Sequence, residues 1–502
     1  MLDRALLVAA AAALAGCGSA AYDSKAATSS VPSVRVIVAD LDTSINPYHE
    51  YLYAGSAIYK DHAPSSVTPD VLEELGVTPE RQVELTRTGK FVKDREADAA
   101  FWKSVRRNKP YWFKGTNVIA LSVCPENWLK PDAIDANKDP HGVGTSSAVL
   151  TANPDAVLLF VEVCADIGAD AAHDIGFLHP AVDIITTSYG VSIPNTGYPL
   201  PEATAFRDTF EGVVKLGKLH FSSGGNGSGS SPHRAGAGPW WSIGVSGIEE
   251  GTSSGDQTGV SGNFSDFVSD FTQTLPYCLD GERCYEDAPG TSFSTPRAAG
   301  VASRVLLEAR RALGHTGGIV VDNGVPVMAM GEGKRITNWD LRRALEEGAY
   351  AGYTAADYDP VAAAGDPWPT STPVVDAAPW LTIGWGDLTA DPAKEVVVNS
   401  LAALGLATAT RTKDAGFCDF QTAVMDERIA YWNNLALDSG DHTLDGPVPY
   451  VFCGSSIPPP PGAPAPDSPV DGSGVPALPS CTDVMPALPS DPSQPTAGAC
   501  GA

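Results

Sequence analysis

Gly290-Thr291-Ser292-Phe293-Ser294-Thr295-Pro296 is the stretch from which the rest of this chain is read, and it opens onto Arg297-Ala298-Ala299-Gly300-Val301-Ala302. The Ala-rich continuation predicts a helix. A proline suits its first turn, because the missing N–H has no partner there in any case. Ser292 then stands at or just before a helix N-terminus, where backbone N–H groups and the helix dipole favour developing negative charge. Acyl transfer by a serine needs such a place, since its tetrahedral intermediate carries an oxyanion. Serine and threonine are also ordinary helix caps. The stretch therefore requires a base, an orienting carboxylate and a second oxyanion donor elsewhere in the chain.

Working outward, residues 33–41 are rich in β-branched side chains and read as a buried strand that delivers Asp42-Thr43-Ser44-Ile45. A carboxylate at the C-terminal end of a strand in an open α/β sheet lies on the edge where active sites form. Asp40 is the competing candidate, but it sits inside the strand without the Thr-Ser turn after it. Residues 117–123 form a second strand. His141-Gly142-Val143-Gly144-Thr145-Ser146 then begins a helix of small residues that presents the imidazole at its start. Residues 156–163, 182–188, 218–222 and 240–245 read as further strands, with a helix over 202–216. The strand at 218–222 leads into Ser223-Gly224-Gly225-Asn226-Gly227, in which an asparagine amide is a suitable fixed donor for an oxyanion. Strands alternating with helices predict parallel βαβ units in an α/β three-layer sandwich.

The order Asp42, His141, Asn226, Ser292 is the Asp…His…Ser order of subtilisin. The local words agree: Asp-Thr-Ser-Ile, His-Gly-x-Gly-Thr, Ser-Tyr-Gly, Gly-Asn-Gly and Gly-Thr-Ser-x-Ser-x-Pro. Over residues 34 to about 388 the chain resembles the subtilisin-like (subtilase) serine peptidases, including the late words at 336–342 and Gly384-Trp385-Gly386. The resemblance implies a subtilisin-like fold with a mostly parallel central sheet and a serine endopeptidase acting on protein or peptide substrates. It implies Ser292 as nucleophile, His141 as base and Asp42 as its orienting partner. Asn226 and the Ser292 N–H would form the oxyanion hole, and Ser188, Tyr189 and Gly190 would pair with extended substrate. The word after His141 departs from the family's Gly-Thr-His-Val-Ala-Gly, and Ser44 stands where glycine is commoner. A catalytically silent member that binds peptides or a surface partner is the alternative, and the complete set of four roles weighs against it. A carboxylate-base peptidase of the sedolisin type is disfavoured by His141 and Asn226. A Gly-x-Ser-x-Gly esterase elbow is disfavoured because no glycine follows Ser292 by two.

The formal net charge of −27 excludes a phosphate-binding footprint, and so nucleic acid as natural partner. Residues 5–14 form an apolar run too short to span a membrane and suited to a signal peptide. The run ends in Leu14-Ala15-Gly16-Cys17, which resembles a bacterial lipobox. The expectation is a signal over 1–16, a lipid on Cys17, a flexible tether over 17–33, and an exported protein anchored at the cell envelope, or otherwise secreted. The short stretch from Cys17 to the first strand leaves no room for the usual folding pro-domain. Setting Cys17 apart from the nine cysteines leaves an even eight, which reads as disulfides in an exported chain. Cys124 and Cys164 follow successive strands and could pair if those strands are neighbours. No CxxC pair or calcium-loop word occurs, so no cofactor or metal is signalled, and a structural calcium is left open. The peptidase domain is expected over 34–400 with an insertion at about 51–111. A helical appendage would follow over 401–455, stapled by Cys418 and Cys453, and then a Pro-rich tail over 456–502.

Overall fold

The computed structural model describes residues 33–124, 129–131, 139–164, 169–189, 208–226, 236–248, 265–331, 333–350, 384–389 and 395–411. The expected signal, Cys17 and most of the 17–33 tether lie outside these residues. So do Gly190, Gly227, nearly all of the 401–455 appendage, including Cys418 and Cys453, and the 456–502 tail.

A nine-stranded sheet forms the middle layer. In chain order its strands are β1 (Ile37–Asp42), β2 (Gln82–Val83), β3 (Tyr111–Phe113), β4 (Val118–Ser122), β5 (Val157–Glu162), β6 (Ile184–Thr187), β7 (Leu219–Ser223), β8 (Ile243–Ile248) and β9 (Phe267–Asp270). Their spatial order is β2-β3-β4-β5-β1-β6-β7-β8-β9, and every pairing is parallel except β3 with β4. The strands predicted from the sequence are all present, shifted by a few residues at their ends. Asp42 is the last residue of β1 rather than the first beyond it. The insertion is less separate than its composition suggests. Besides the helices α1 (Pro69–Glu74), α2 (Phe91–Ala97) and α3 (Ala99–Ser104), it contributes β2 and β3 to one edge of the sheet.

Because side chains alternate along a strand, each face of the sheet meets a different layer. Val36, Val38, Leu158, Phe160 and Ile184 face a core shared with the helices α4 (His141–Ala152) and α6 (Thr291–Leu313). Ile37, Ala39, Leu41, Leu159 and Val161 face the other way, onto Val71 and Leu72 of α1 and Ala172, Ile175 and Phe177 of α5 (Ala169–Leu178). The result is the expected α/β three-layer sandwich.

α4 and α6 cross closely because both are built from small residues. A Cβ on Gly300 would lie 2.6 Å from the Val149 carbonyl oxygen and 2.7 Å from the Ala152 Cβ. α6 is 23 residues long, so it runs about 35 Å through the domain. Its far end carries Arg310, whose five donors meet five acceptors. Nη1 reaches Arg35 O (2.6 Å) and Asp183 Oδ2 (2.9 Å), while Nη2 reaches Asp183 Oδ1 (2.6 Å) and Gly318 O (3.0 Å). Nε reaches Met328 O at 2.8 Å. Asp183 Oδ2 also accepts the Ile37 N–H that begins β1. Two further helices, α7 (Asn338–Gly348) and α8 (Val396–Ala403), close the domain, and α7 starts with a Thr337/Asp340 capping box.

Residues 267–289, to which the sequence assigned no element, give β9 and a hairpin of β10 (Thr272–Pro276) and β11 (Tyr285–Pro289). The hairpin is closed by a Cys278–Cys284 disulfide and leads straight into Gly290. Cys124 and Cys164 do lie beyond neighbouring strands, as the sequence suggested. Both are buried thiols in this structure.

Candidate active site

The C-terminal ends of parallel strands share one edge of a sheet, and β1, β6 and β7 deliver Asp42, Ser188 and Asn226 to that edge. α4 and α6 start there, bringing His141 and Ser292. One line of geometry therefore gathers residues spread over 250 positions of sequence.

Asp42 is buried, and its carboxylate meets His141 Nδ1 at 2.8 and 3.0 Å. The Thr43 N–H also donates to Asp42 Oδ1 at 2.7 Å, which orients the carboxylate. Thr43 Oγ1 and Ser44 Oγ both donate to the Asp139 carbonyl and pin the residues before α4 to the turn after β1. Gly142 explains why α4 can lie so near: any Cβ there would strike the Ser44 backbone and the Phe160 ring. The Ser44 that replaces the commoner glycine is thus used for its hydroxyl. Burial alone would push the His141 imidazole downward. Its contact with Asp42 outweighs that, with Asp139 adding, and carries it up to about 9. The ring packs 5.2 Å from that of Phe293.

Ser292 is the second residue of α6, whose N-cap Gly290 has φ 155°. Pro296 lies one turn inside the helix rather than in its first turn. Lacking an N–H, it leaves the Ser292 carbonyl without its helical donor. Ser188 Oγ donates to that carbonyl instead, at 2.7 Å. The Ser292 hydroxyl returns a bond to the Ser188 carbonyl at 3.3 Å. Among the described residues no hydrogen bond joins Ser292 Oγ to His141, so the structure brings these two to one edge without linking them.

Asn226 is fixed by a residue the sequence reading did not use. The Thr291 N–H and Oγ1 both donate to Asn226 Oδ1 at 2.8 Å. An obligatory N–H donor on one side of the amide settles which atom is oxygen, so the Nδ2 amino group faces outward beside Gly290. A Cβ at position 290 would come within 3.3 Å of that nitrogen. Thr291 Oγ1 in turn accepts from the Gly225 N–H at 3.1 Å. In the first turn of α6 the Phe293 and Ser294 N–H groups bond to the Gly290 carbonyl. The Ser292 N–H has no acceptor among the described residues. Two donors, the Asn226 amide and the Ser292 N–H, are thus left for a ligand oxygen.

Of the predicted substrate strand, Ser188 is buried under α6. Tyr189 stacks on His173, with its hydroxyl 3.0 Å from His173 Nε2. Among the described residues, the one cluster with metal-ligand proximity is His49, Cys278 and Cys284, where the two sulfurs are joined and His49 Nε2 lies 3.1 Å from the Cys284 carbonyl.

The subtilase family model matches residues 34–316. No curated protein matches the chain. Among solved structures, the prenylagaramide maturation protease PagA is similar at 12% identity and a TM-score of 0.39, over 76% of this chain and 96% of that one. A lanthipeptide protease is similar at 14% identity and a TM-score of 0.41, over 73% and 88%. The PatG macrocyclase domain is similar at 12% identity and a TM-score of 0.39, over 74% and 92%. The match over most of the described domain, with the fold and the residues at its sheet edge, establishes that the chain belongs to the subtilase family of serine peptidases.

Proposed function

We propose that this protein is a serine endopeptidase in which Ser292, His141 and Asp42 form the catalytic triad and Asn226 with the Ser292 N–H forms the oxyanion hole. The observation that carries the reading is the two-point contact of Asp42 with His141 Nδ1. That contact fixes the tautomer with the proton on Nδ1 and leaves Nε2 to act as base. Ser292 Oγ attacks the scissile carbonyl while Nε2 takes its proton. The tetrahedral oxygen is held by Asn226 Nδ2 and the Ser292 N–H until Nε2 returns the proton to the leaving amine. Water then repeats the sequence on the acyl-enzyme. Asp42 holds the ring throughout and stabilises the imidazolium.

The Ser188 carbonyl, now occupied by the Ser292 hydroxyl, is where an extended substrate would pair its backbone along Ser188-Tyr189-Gly190. Substrate taking that acceptor would free the hydroxyl to turn to His141, and catalytic hydrogen bonds are commonly loose before substrate is bound.

A fluorophosphonate serine probe tests the reading. The folded protein is expected to label, and Ser292→Ala to abolish labelling while melting at the same temperature. A second reading, a peptide-binding member without catalysis, draws on the Ser292 hydroxyl resting on Ser188. Wild-type protein that is folded and stays unlabelled would establish it.

We further propose that Cys17 carries a lipid and anchors the exported protein to a bacterial membrane. The lipobox-like Leu14-Ala15-Gly16-Cys17 supports this. An alkynyl fatty acid fed to producing cells should enter the wild type and not Cys17→Ser, which should leave the membrane fraction.

A further inference from the structure

Two residues before Asp42 on the same face of β1 lies a second carboxyl, Asp40, fully buried and outside every role assigned above. Thr145 Oγ1 donates to Asp40 Oδ2 at 2.9 Å, and Thr145 is four residues after His141 on α4. Strand positions i and i+2 and helix positions i and i+4 have nearly the same rise of about 6 to 7 Å. β1 and α4 are therefore joined by two parallel rungs, Asp42–His141 and Asp40–Thr145. The Gly-Val-Gly-Thr word that departs from the family pattern is what places a hydroxyl on the second rung.

We propose that Asp40 is a positioning residue for the Asp42–His141 pair, its carboxyl anchoring Thr145 and so setting how the first turns of α4 present the imidazole to Ser292.

Asp40 does this as a neutral acid. Its Oδ1 is buried and has no hydrogen-bond partner among the described residues, so an ionised carboxyl would have one hydroxyl there to stabilise it. The groups around it are Asp42 on its own strand, Glu162 on β5 in register with Asp42, His141 and Thr145 on α4, and Tyr51 and Tyr189 nearby. His141 is the one of these that can carry positive charge, and Asp42 already holds it. Burial, with the Asp42 charge adding, pushes the Asp40 carboxyl well above the usual range, against smaller opposing effects of Thr145 and His141. A second charge behind the imidazole would stabilise its protonated form further and push the working range of the base to still higher pH. A neutral Asp40 gives the second rung without that penalty.

The proposal rests on the catalytic reading, and the experiment separates the two. Fluorophosphonate labelling of the wild type comes first, and its failure would remove the catalytic reading. With labelling established, a peptide substrate is used to measure kcat, KM and the acid limb of kcat/KM. Thr145→Val and Asp40→Val, each shown folded by its melting transition, are expected to lower kcat by about 10²-fold with KM changed less than about twofold. Thr145→Ser should restore most of that loss. Asp40→Asn keeps the acceptor and the neutrality, so it should lose only a few-fold in kcat and leave the acid-limb midpoint where it is. Wild-type kcat in folded Thr145→Val would overturn the positioning role. A downward move of the acid limb by about one pH unit or more in Asp40→Asn would overturn the neutral acid, since it would mean that a charge had been removed.

Discussion

The two ends of α6 treat buried acids in opposite ways. At the far end Asp183 meets Arg310, and all five guanidinium donors and both carboxylate oxygens have partners. At the near end Asp42 leans on a histidine, and among the described residues one oxygen of Asp40 and two donors beside Ser292 have no partner. The first arrangement is saturated and chemically silent. In the proposed mechanism the second keeps groups short of partners so that a substrate can complete them. One rigid helix carries both.

Breaking the saturated end should cost the most stability. Arg310→Met leaves Asp183 buried without its cation, and removing one partner of such a pair costs about 3–5 kcal/mol. Chemical denaturation should show that loss, while the fraction that remains folded still labels with fluorophosphonate. A loss of labelling in folded Arg310→Met would mean that the two ends are not independent.

Breaking the unsaturated end should do the reverse. Asn226→Ala is expected to lower kcat by about 10²–10³-fold. Its unfolding midpoint should change little, because Asn226 is exposed and its amino group lies beside Gly290. A stability loss as large as that of Arg310→Met would show that the Asn226–Thr291 contact holds the fold rather than the oxyanion.

A finer test uses pH. His141 is raised from its ordinary 6.5 to about 9, so the pair with Asp42 stabilises the fold fully below about 6.5 and loses that contribution as pH rises through 9. In the proposed mechanism activity runs the other way, since Nε2 must be unprotonated to act as base. Below the midpoint kcat/KM should climb about tenfold per pH unit, while thermal stability declines over the alkaline part of the same range. Activity and stability that rise together would exclude His141 as the titrating base.

Much of the near end was legible in the sequence because it is built from short words at strand ends. Asp-Thr-Ser, His-Gly, Gly-Asn and Gly-Thr-Ser each pair a functional side chain with the small residue that lets backbone approach it. What escaped were features set by partners far away in sequence. Thr291 carries no role that the sequence shows, yet its bond to Asn226 fixes the amide. Thr145 looked like a departure from the family word and proved to be the other half of a contact with Asp40. The β10–β11 hairpin was hidden because its strands are mixed in polarity and its turn is held by a disulfide. β2 and β3 are too short to show a period and exist because the edge of β4 offers them hydrogen bonds. Pro296 was placed in the first turn by propensity alone. Its actual position one turn further in frees a carbonyl that Ser188 takes.

The length of α6 also separates the point where the chain enters the domain from the serine. Ser292 stands near one end of the rod, and Arg310, about 27 Å along it, grips Arg35, just before the chain enters β1. A pull on the chain ahead of β1 would be met by a saturated clamp before any strain could travel the rod to Ser292.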